Sequence, residues 1–180
     1  MNPRNFLLAA AAALLSTSTF AVDLRPGGAF VMGGIADHSG YSLTGGVVWP
    51  WAWKKEVGGG EINALTEGHI AHWSAKDAFG ARHSYAHIAL VPIFRYRFGQ
   101  SRLWFVEGGI GISTTNRLYA NSGRQFSTRF NFVDTAGIGR SFGAQREHEL
   151  SLRITHVSNA SIKRPNPGEE FLQLRYAKNF

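Results

Sequence analysis

The feature that most limits what this chain can fold into is a two-residue alternation that recurs between turn-rich stretches. In YSLTGGVVWPWAW the odd positions Tyr41, Leu43, Val47, Trp49, Trp51 and Trp53 are apolar, while Ser42, Thr44 and Gly46 fall between them. In IALVPIFRYRF the even set Ile88, Leu90, Phe94, Tyr96 and Phe98 opposes Arg95 and Arg97. RLWFVEGGIGIS sets Trp104, Val106, Ile110 and Ile112 against Glu107, and FSTRFNFVDTAGIGRSF sets Phe126, Phe130, Phe132 and Ile138 against Ser127, Arg129 and Asn131. Successive side chains of a strand point to opposite faces, so each segment reads as a strand between two different surroundings. With weaker candidates near 28–36 and 61–75 and two more at the C-terminus, about eight strands are expected, the smallest common number for a closed outer-membrane barrel.

A helical membrane protein is excluded by length. The apolar run from Phe6 to Leu15 is too short to cross a bilayer as a helix, and no other stretch approaches the 18 or so uncharged apolar residues required. With Arg4 before it and small residues leading to Ala21, that run reads as a secretory signal over residues 1–21, leaving 22–180 as a single domain. The mean hydropathy of −0.14 suits a barrel, whose lipid-facing and lumen-facing residues average out. A soluble sandwich or lipocalin-like barrel also alternates, but here Trp and Tyr gather near strand ends, as interfacial girdles do. The last residue is Phe180, preceded on one face by Tyr176, Leu174 and Leu172, with Lys178 interrupting the row where it can snorkel to the membrane edge. Pro92 inside a strand argues for a bulge or a local break. The chain has no cysteine, which removes disulfides and thiol nucleophiles. Its net charge is +7, to which Arg4 in the leader contributes one. For an exported protein that basicity points to phosphorylated lipid rather than nucleic acid.

Parity then singles out three residues. Leu150, Leu152 and Ile154 share a face with His156 and Ser158, and on the last strand Glu170 shares parity with Leu172, Leu174 and Tyr176. If that face meets lipid, unpaired polar groups on it cost roughly a few kcal/mol each, so a mutually bonded, functional set is favoured over chance. A serine hydroxyl becomes nucleophilic when a histidine takes its proton, and the histidine works best when a carboxylate fixes its tautomer. Same-face residues two apart on a strand lie about 6–7 Å apart, and Glu170 begins the antiparallel neighbour that returns beside His156. Asn159, directly after the serine, could offer an N–H to an oxyanion. A bulge near the loop would exchange Glu169 for Glu170.

The stretch HVSNASIKRPNPGEE resembles the signature of the outer-membrane lipid A 3-O-deacylases, the PagL family, with the likeness continuing upstream through FVEGGIGIS and FNFVDTAGIGRSF. The resemblance implies a Ser–His–Glu triad of Ser158, His156 and Glu170, the glutamate standing fourteen residues after the histidine. It also implies supporting positions at Asn159, Asp134 and Asn166, and a family glycine where this chain has Ser161. An eight-stranded transmembrane β-barrel in the outer membrane of a Gram-negative bacterium follows. Its substrate would be lipid A or lipopolysaccharide, met laterally from the surrounding lipid at outer-leaflet depth beside a loop near 160–168. Lys163 and Arg164 would be candidates to contact the substrate's phosphates.

No cofactor and no metal is expected, since His69 and His72, three apart, lack a partner carboxylate at matching spacing. The glycine pairs lack a phosphate-loop context. Pairing into a homodimer is left open. Asp134 falls on the apolar parity of its strand, so either a bulge intervenes or it serves the neighbouring site. A non-enzymatic small barrel, or an acyltransferase that passes the chain to a phospholipid, are the competing readings.

Overall fold

The computed structural model describes residues 25–37 and 39–180; the expected secretory segment, 1–21, lies outside them. Eight strands, β1 (Gly28–Ala36), β2 (Gly40–Val57), β3 (Gly60–Lys76), β4 (Arg82–Phe98), β5 (Trp104–Thr115), β6 (Phe130–Phe142), β7 (His148–Ser158) and β8 (Glu169–Asn179), pair antiparallel in chain order, and β1 closes on β8. Closure leaves no open edge around the ring, a condition that lipid imposes on any spanning sheet. From Ser158, the cross-strand partners run through Phe132, Ile112, Leu90, Gly68, Val47, Ala29 and Lys178 and return to β7 at His148, ten residues from the start. That stagger corresponds to strands tilted about 35–45° to the axis.

The alternation sorts side chains as expected. Leu43, Ile70, Ile88, Ile110, Leu152, Ile154 and Leu174 are exposed on the outside, while Ser42, Thr44, Arg95, Glu107, Arg153 and Arg175 are buried inside. The interior is a packed core and carries charge. Glu107 accepts from Arg95 (Nη2, 2.8 Å) and Arg153 (Nε, 2.7 Å). Glu67 accepts from both terminal nitrogens of Arg153 at 2.6 and 2.9 Å. Arg175 Nη2 lies 2.7 Å from Glu67 as an ion pair without the alignment of a hydrogen bond. Glu149 takes Arg95 at 2.8 Å and Arg97 at 2.6 Å. These residues come from β3, β4, β5, β7 and β8, so the charges tie most of the ring across its own lumen. Above them, Trp73 stacks on His87 with centroids 4.1 Å apart, and Tyr119 and Phe126 seal the mouth.

One local expectation changes, and two others are made definite. The alternation puts Phe126 on the apolar face of a strand, opposite Ser127 and Arg129, but β6 starts at Phe130. Residues 116–129 instead form a folded loop in which the Phe126 amide donates to the Tyr119 carbonyl (2.8 Å), turning the Phe126 ring inward onto Tyr119 at 5.1 Å. Of the bulge or local break expected at Pro92, the structure has the break: the β4–β5 register is the same on both sides of it, and the ladder skips Val91 and Pro92, which matches a residue with no N–H to give. The register shift lies instead on β2 between Pro50 and Lys54, where Trp51 to Trp53 are accommodated against β3. His69 and His72 cannot share an ion, because His69 faces the lumen and His72 is exposed on the opposite face.

Removing one lumen carboxylate should unfold the ring readily. Glu107→Ala leaves Arg95 and Arg153 partly unpaired in the interior, at an expected cost of about 3–5 kcal/mol. Urea unfolding in detergent micelles, followed by the shift between folded and unfolded gel mobility, should show a clearly lower midpoint. An unchanged midpoint would mean that the lumen charges do not hold the ring together.

Candidate active site

The site is built at the ends of β7 and β8 that meet the loop 159–168. The β7–β8 register pairs His156 with Glu170 and Val157 with Glu169, so no bulge exchanges the two glutamates. Glu170 is exposed on the outer face, and its Oε1 lies 2.8 Å from His156 Nδ1. Glu169 points inward, fully buried, and accepts a 2.6 Å bond from Asn121 Nδ2. Beside it, burial first and the Glu169 carboxylate second push the Tyr119 phenol well above its ordinary range, so it stays protonated.

Two residues along β7 from His156, Ser158 is 8 % exposed although it stands on the outward parity. Its Oγ accepts from the Ala160 amide at 3.4 Å, and among the described residues no hydrogen bond joins it to His156. On the other side of His156, Asp134 is its direct cross-strand partner. The β5–β6 and β6–β7 registers run unbroken through Asp134, so the bulge alternative falls and His156 sits between Asp134 and Glu170 in one cross-strand row.

Asn159, considered as an oxyanion donor, has its donors engaged elsewhere. Its backbone N–H goes to Asn166 Oδ1 at 2.9 Å, and its side-chain amide goes to Ser127 Oγ (2.9 Å) and the Lys163 carbonyl (2.8 Å). Asn159 and Asn166 therefore build the loop. Lys163 and Arg164 are exposed on it.

Two features escaped the sequence reading. Gly168 has φ +69°, and a Cβ there would stand 2.5 Å from His156 Cε1, so only glycine lets the returning chain pass over the imidazole. Arg124, from the loop 116–129, reaches Glu170 Oε2 at 3.2 Å. The signal for the first was a glycine directly before the glutamate pair; periodicity offers none for the second.

Residues 37–179 match the family described as lipid A 3-O-deacylase (PagL). The chain is 30 % identical over 169 residues to the lipid A deacylase PagL of Bordetella bronchiseptica, covering 92 % of this chain and 90 % of that one. It is 28 % identical over 147 residues to the lipid A deacylase PagL of Pseudomonas aeruginosa, 79 % of this chain and 80 % of that one. The chain belongs to the lipid A 3-O-deacylase family. A crystal structure of the outer membrane enzyme PagL superposes with a TM-score of 0.73 at 23 % identity, over 85 % of this chain and 99 % of that one, which gives the same fold. As a member of this family the chain is an outer-membrane enzyme, and its ring of strands is a transmembrane barrel.

The turn after Ser158 carries strain that a substitution can relieve. The Ile162 amide donates to the Asn159 carbonyl at 3.0 Å, closing a turn whose central residues Ala160 and Ser161 have φ of 50° and 63°. Side chains in that left-handed region cost about 1–2 kcal/mol. Ser161→Gly should therefore raise the stability by about 1 kcal/mol, read as a higher unfolding midpoint. A lower midpoint would show that Ser161 is held by an interaction that outweighs the backbone strain.

Proposed function

We propose that the protein hydrolyses the ester-linked acyl chain at the 3-position of lipid A, with Ser158 as nucleophile, His156 as general base and acid, and Glu170 as the group that orients the histidine. The observation that carries this reading is the 2.8 Å contact between His156 Nδ1 and Glu170 Oε1 on the outer face of the barrel, two residues from Ser158. With Nδ1 committed to the carboxylate, Nε2 is the ring nitrogen left to take the serine proton.

Ser158 Oγ attacks the ester carbonyl while its proton passes to His156 Nε2. The imidazolium that forms is stabilised by Glu170 and, from the other side of the row, by Asp134. Collapse of the tetrahedral intermediate expels the sugar 3-oxygen, which takes the proton from His156, and leaves the acyl chain on Ser158. His156 then takes a proton from water, hydroxide adds to the acyl carbonyl, and collapse of the second tetrahedral intermediate expels Ser158 Oγ, which recovers the proton from His156. The products of the two halves are 3-O-deacylated lipid A and a free fatty acid. Because Asn159 spends its donors on the loop, the Ala160 amide, 3.4 Å from Ser158 Oγ, is the favoured donor to the oxyanion.

Placement favours lipid A over a soluble ester. With both termini on the periplasmic side, the loop 159–168 stands outside the cell, and the three residues lie at the depth of the outer leaflet. The substrate then reaches Ser158 sideways from the membrane, without entering the packed lumen. Lys163 and Arg164 meet its phosphates from the loop.

The test is mass spectrometry of lipid A from cells carrying the wild type or variants. The wild type should remove one ester-linked chain, and Ser158→Ala should abolish that loss while keeping the heat-modifiable mobility of a folded barrel. Glu170→Ala should lower turnover strongly and Glu169→Ala less, since Glu169 faces the lumen. Full activity of Ser158→Ala would refute the nucleophile, and a chain moved onto phospholipid would make the enzyme a transferase.

A further inference from the structure

We infer that Arg124 is a positioning residue of this active site: it clamps the second oxygen of Glu170 so that the first stays on His156. The inference rests on the triad reading above and adds a residue from a different loop to it.

A glutamate has three rotatable bonds, and Glu170 stands on an exposed outer face where one hydrogen bond to a histidine leaves it free to swing. Its two oxygens are divided. Oε1 is 2.8 Å from His156 Nδ1, and Oε2 accepts from Arg124 Nη1 at 3.2 Å. A carboxylate held at both oxygens keeps one orientation, the one that fixes the imidazole tautomer. Arg124 is held in turn by the Gly168 carbonyl at 3.5 Å and by Asp37 Oδ2 at 3.6 Å from its other terminal nitrogen. The Gly168 contact ties it to the same residue that packs over the His156 ring.

The loop that presents Arg124 is itself fixed. The Asn121 amide donates to the Arg124 carbonyl at 2.8 Å, and the Gly123 amide to Asn121 Oδ1 at 3.1 Å, forming a tight turn. The Ala120 carbonyl accepts from Tyr85 Oη at 3.0 Å, which anchors the turn to β4. Asn121 grips Glu169 on the lumen side of β8 while Arg124 grips Glu170 on the outer side. One turn therefore holds two consecutive glutamates from opposite faces of the strand, which is more than a stray surface ion pair would require.

An arginine at a site for a phosphorylated lipid has an obvious competing role as a phosphate ligand, and kinetics separates the two. The purified barrels are assayed in detergent micelles with lipid A over a range of concentrations. A positioning role requires kcat of Arg124→Ala to fall about 10- to 100-fold with KM little changed, the scale of lost orienting partners. Arg124→Lys should recover part of kcat, since an ammonium keeps the charge but not the fork. In the Glu170→Ala background, Arg124→Ala should cost nothing further, because there is no carboxylate left to hold. A raised KM with unchanged kcat, or losses that multiply in the double variant, would overturn the positioning role. Full activity of Glu170→Ala would overturn the triad reading and this inference together. A crippled Glu170→Ala beside a fully active Arg124→Ala would overturn this inference alone.

Discussion

Closure of the hydrogen-bonded ring is the constraint from which the rest follows. In lipid the backbone must be satisfied within the sheet, and once β1 meets β8 no strand can slip without moving its whole set of side chains to the wrong face. Period two then becomes a sorting rule: one parity is dissolved in lipid and the other fills the lumen. Eight strands leave an interior only wide enough for side chains, and this chain fills it with glutamates and arginines that must neutralise one another.

The strands of the candidate site show why that interior matters for the proposed chemistry on the outside. β7 and β8 carry Arg153 and Arg175 inward, and Thr155 donates to Gln173 at 2.6 Å, so the two strands are braced from within. Their outer faces carry His156 and Glu170 as direct cross-strand partners. Rigid strands are a better support for a histidine–carboxylate pair than a loop would be, because the register sets the distance and packing on the opposite face preserves it. Ser158, at the last position of β7, is the member that touches loop structure, and its neighbours Asn159 and Asn166 spend their hydrogen bonds shaping that loop.

What the sequence disclosed follows the same division. The strand parities, the lumen placement of Glu107 and Arg95, and the pairing of His156 with Glu170 could all be read, because each depends on period two or on a single hairpin whose strands are adjacent in sequence. The inward turn of Phe126 and the grip of Arg124 on Glu170 could not. Both arise in the loop 116–129, where no periodicity operates, and the second joins residues 46 positions apart. The shift between Pro50 and Lys54 was hidden because it displaces the pairing by an even number of residues, so Trp51 and Trp53 both stay on the outer face against Phe94. The committed donors of Asn159 were equally invisible, since only the folded loop brings Ser127 and Lys163 to it.

The central claim is that a serine on the lipid-facing wall, and no group within the lumen, forms the covalent intermediate. It is tested most directly by treating the folded barrel in micelles with a long-chain alkyl fluorophosphonate, which phosphonylates activated serines, and mapping the adduct by peptide mass spectrometry. The account requires one adduct, on Ser158, that appears in step with loss of lipid A hydrolysis and fails to form in His156→Ala. An adduct elsewhere, or full inhibition with Ser158 unmodified, would contradict it.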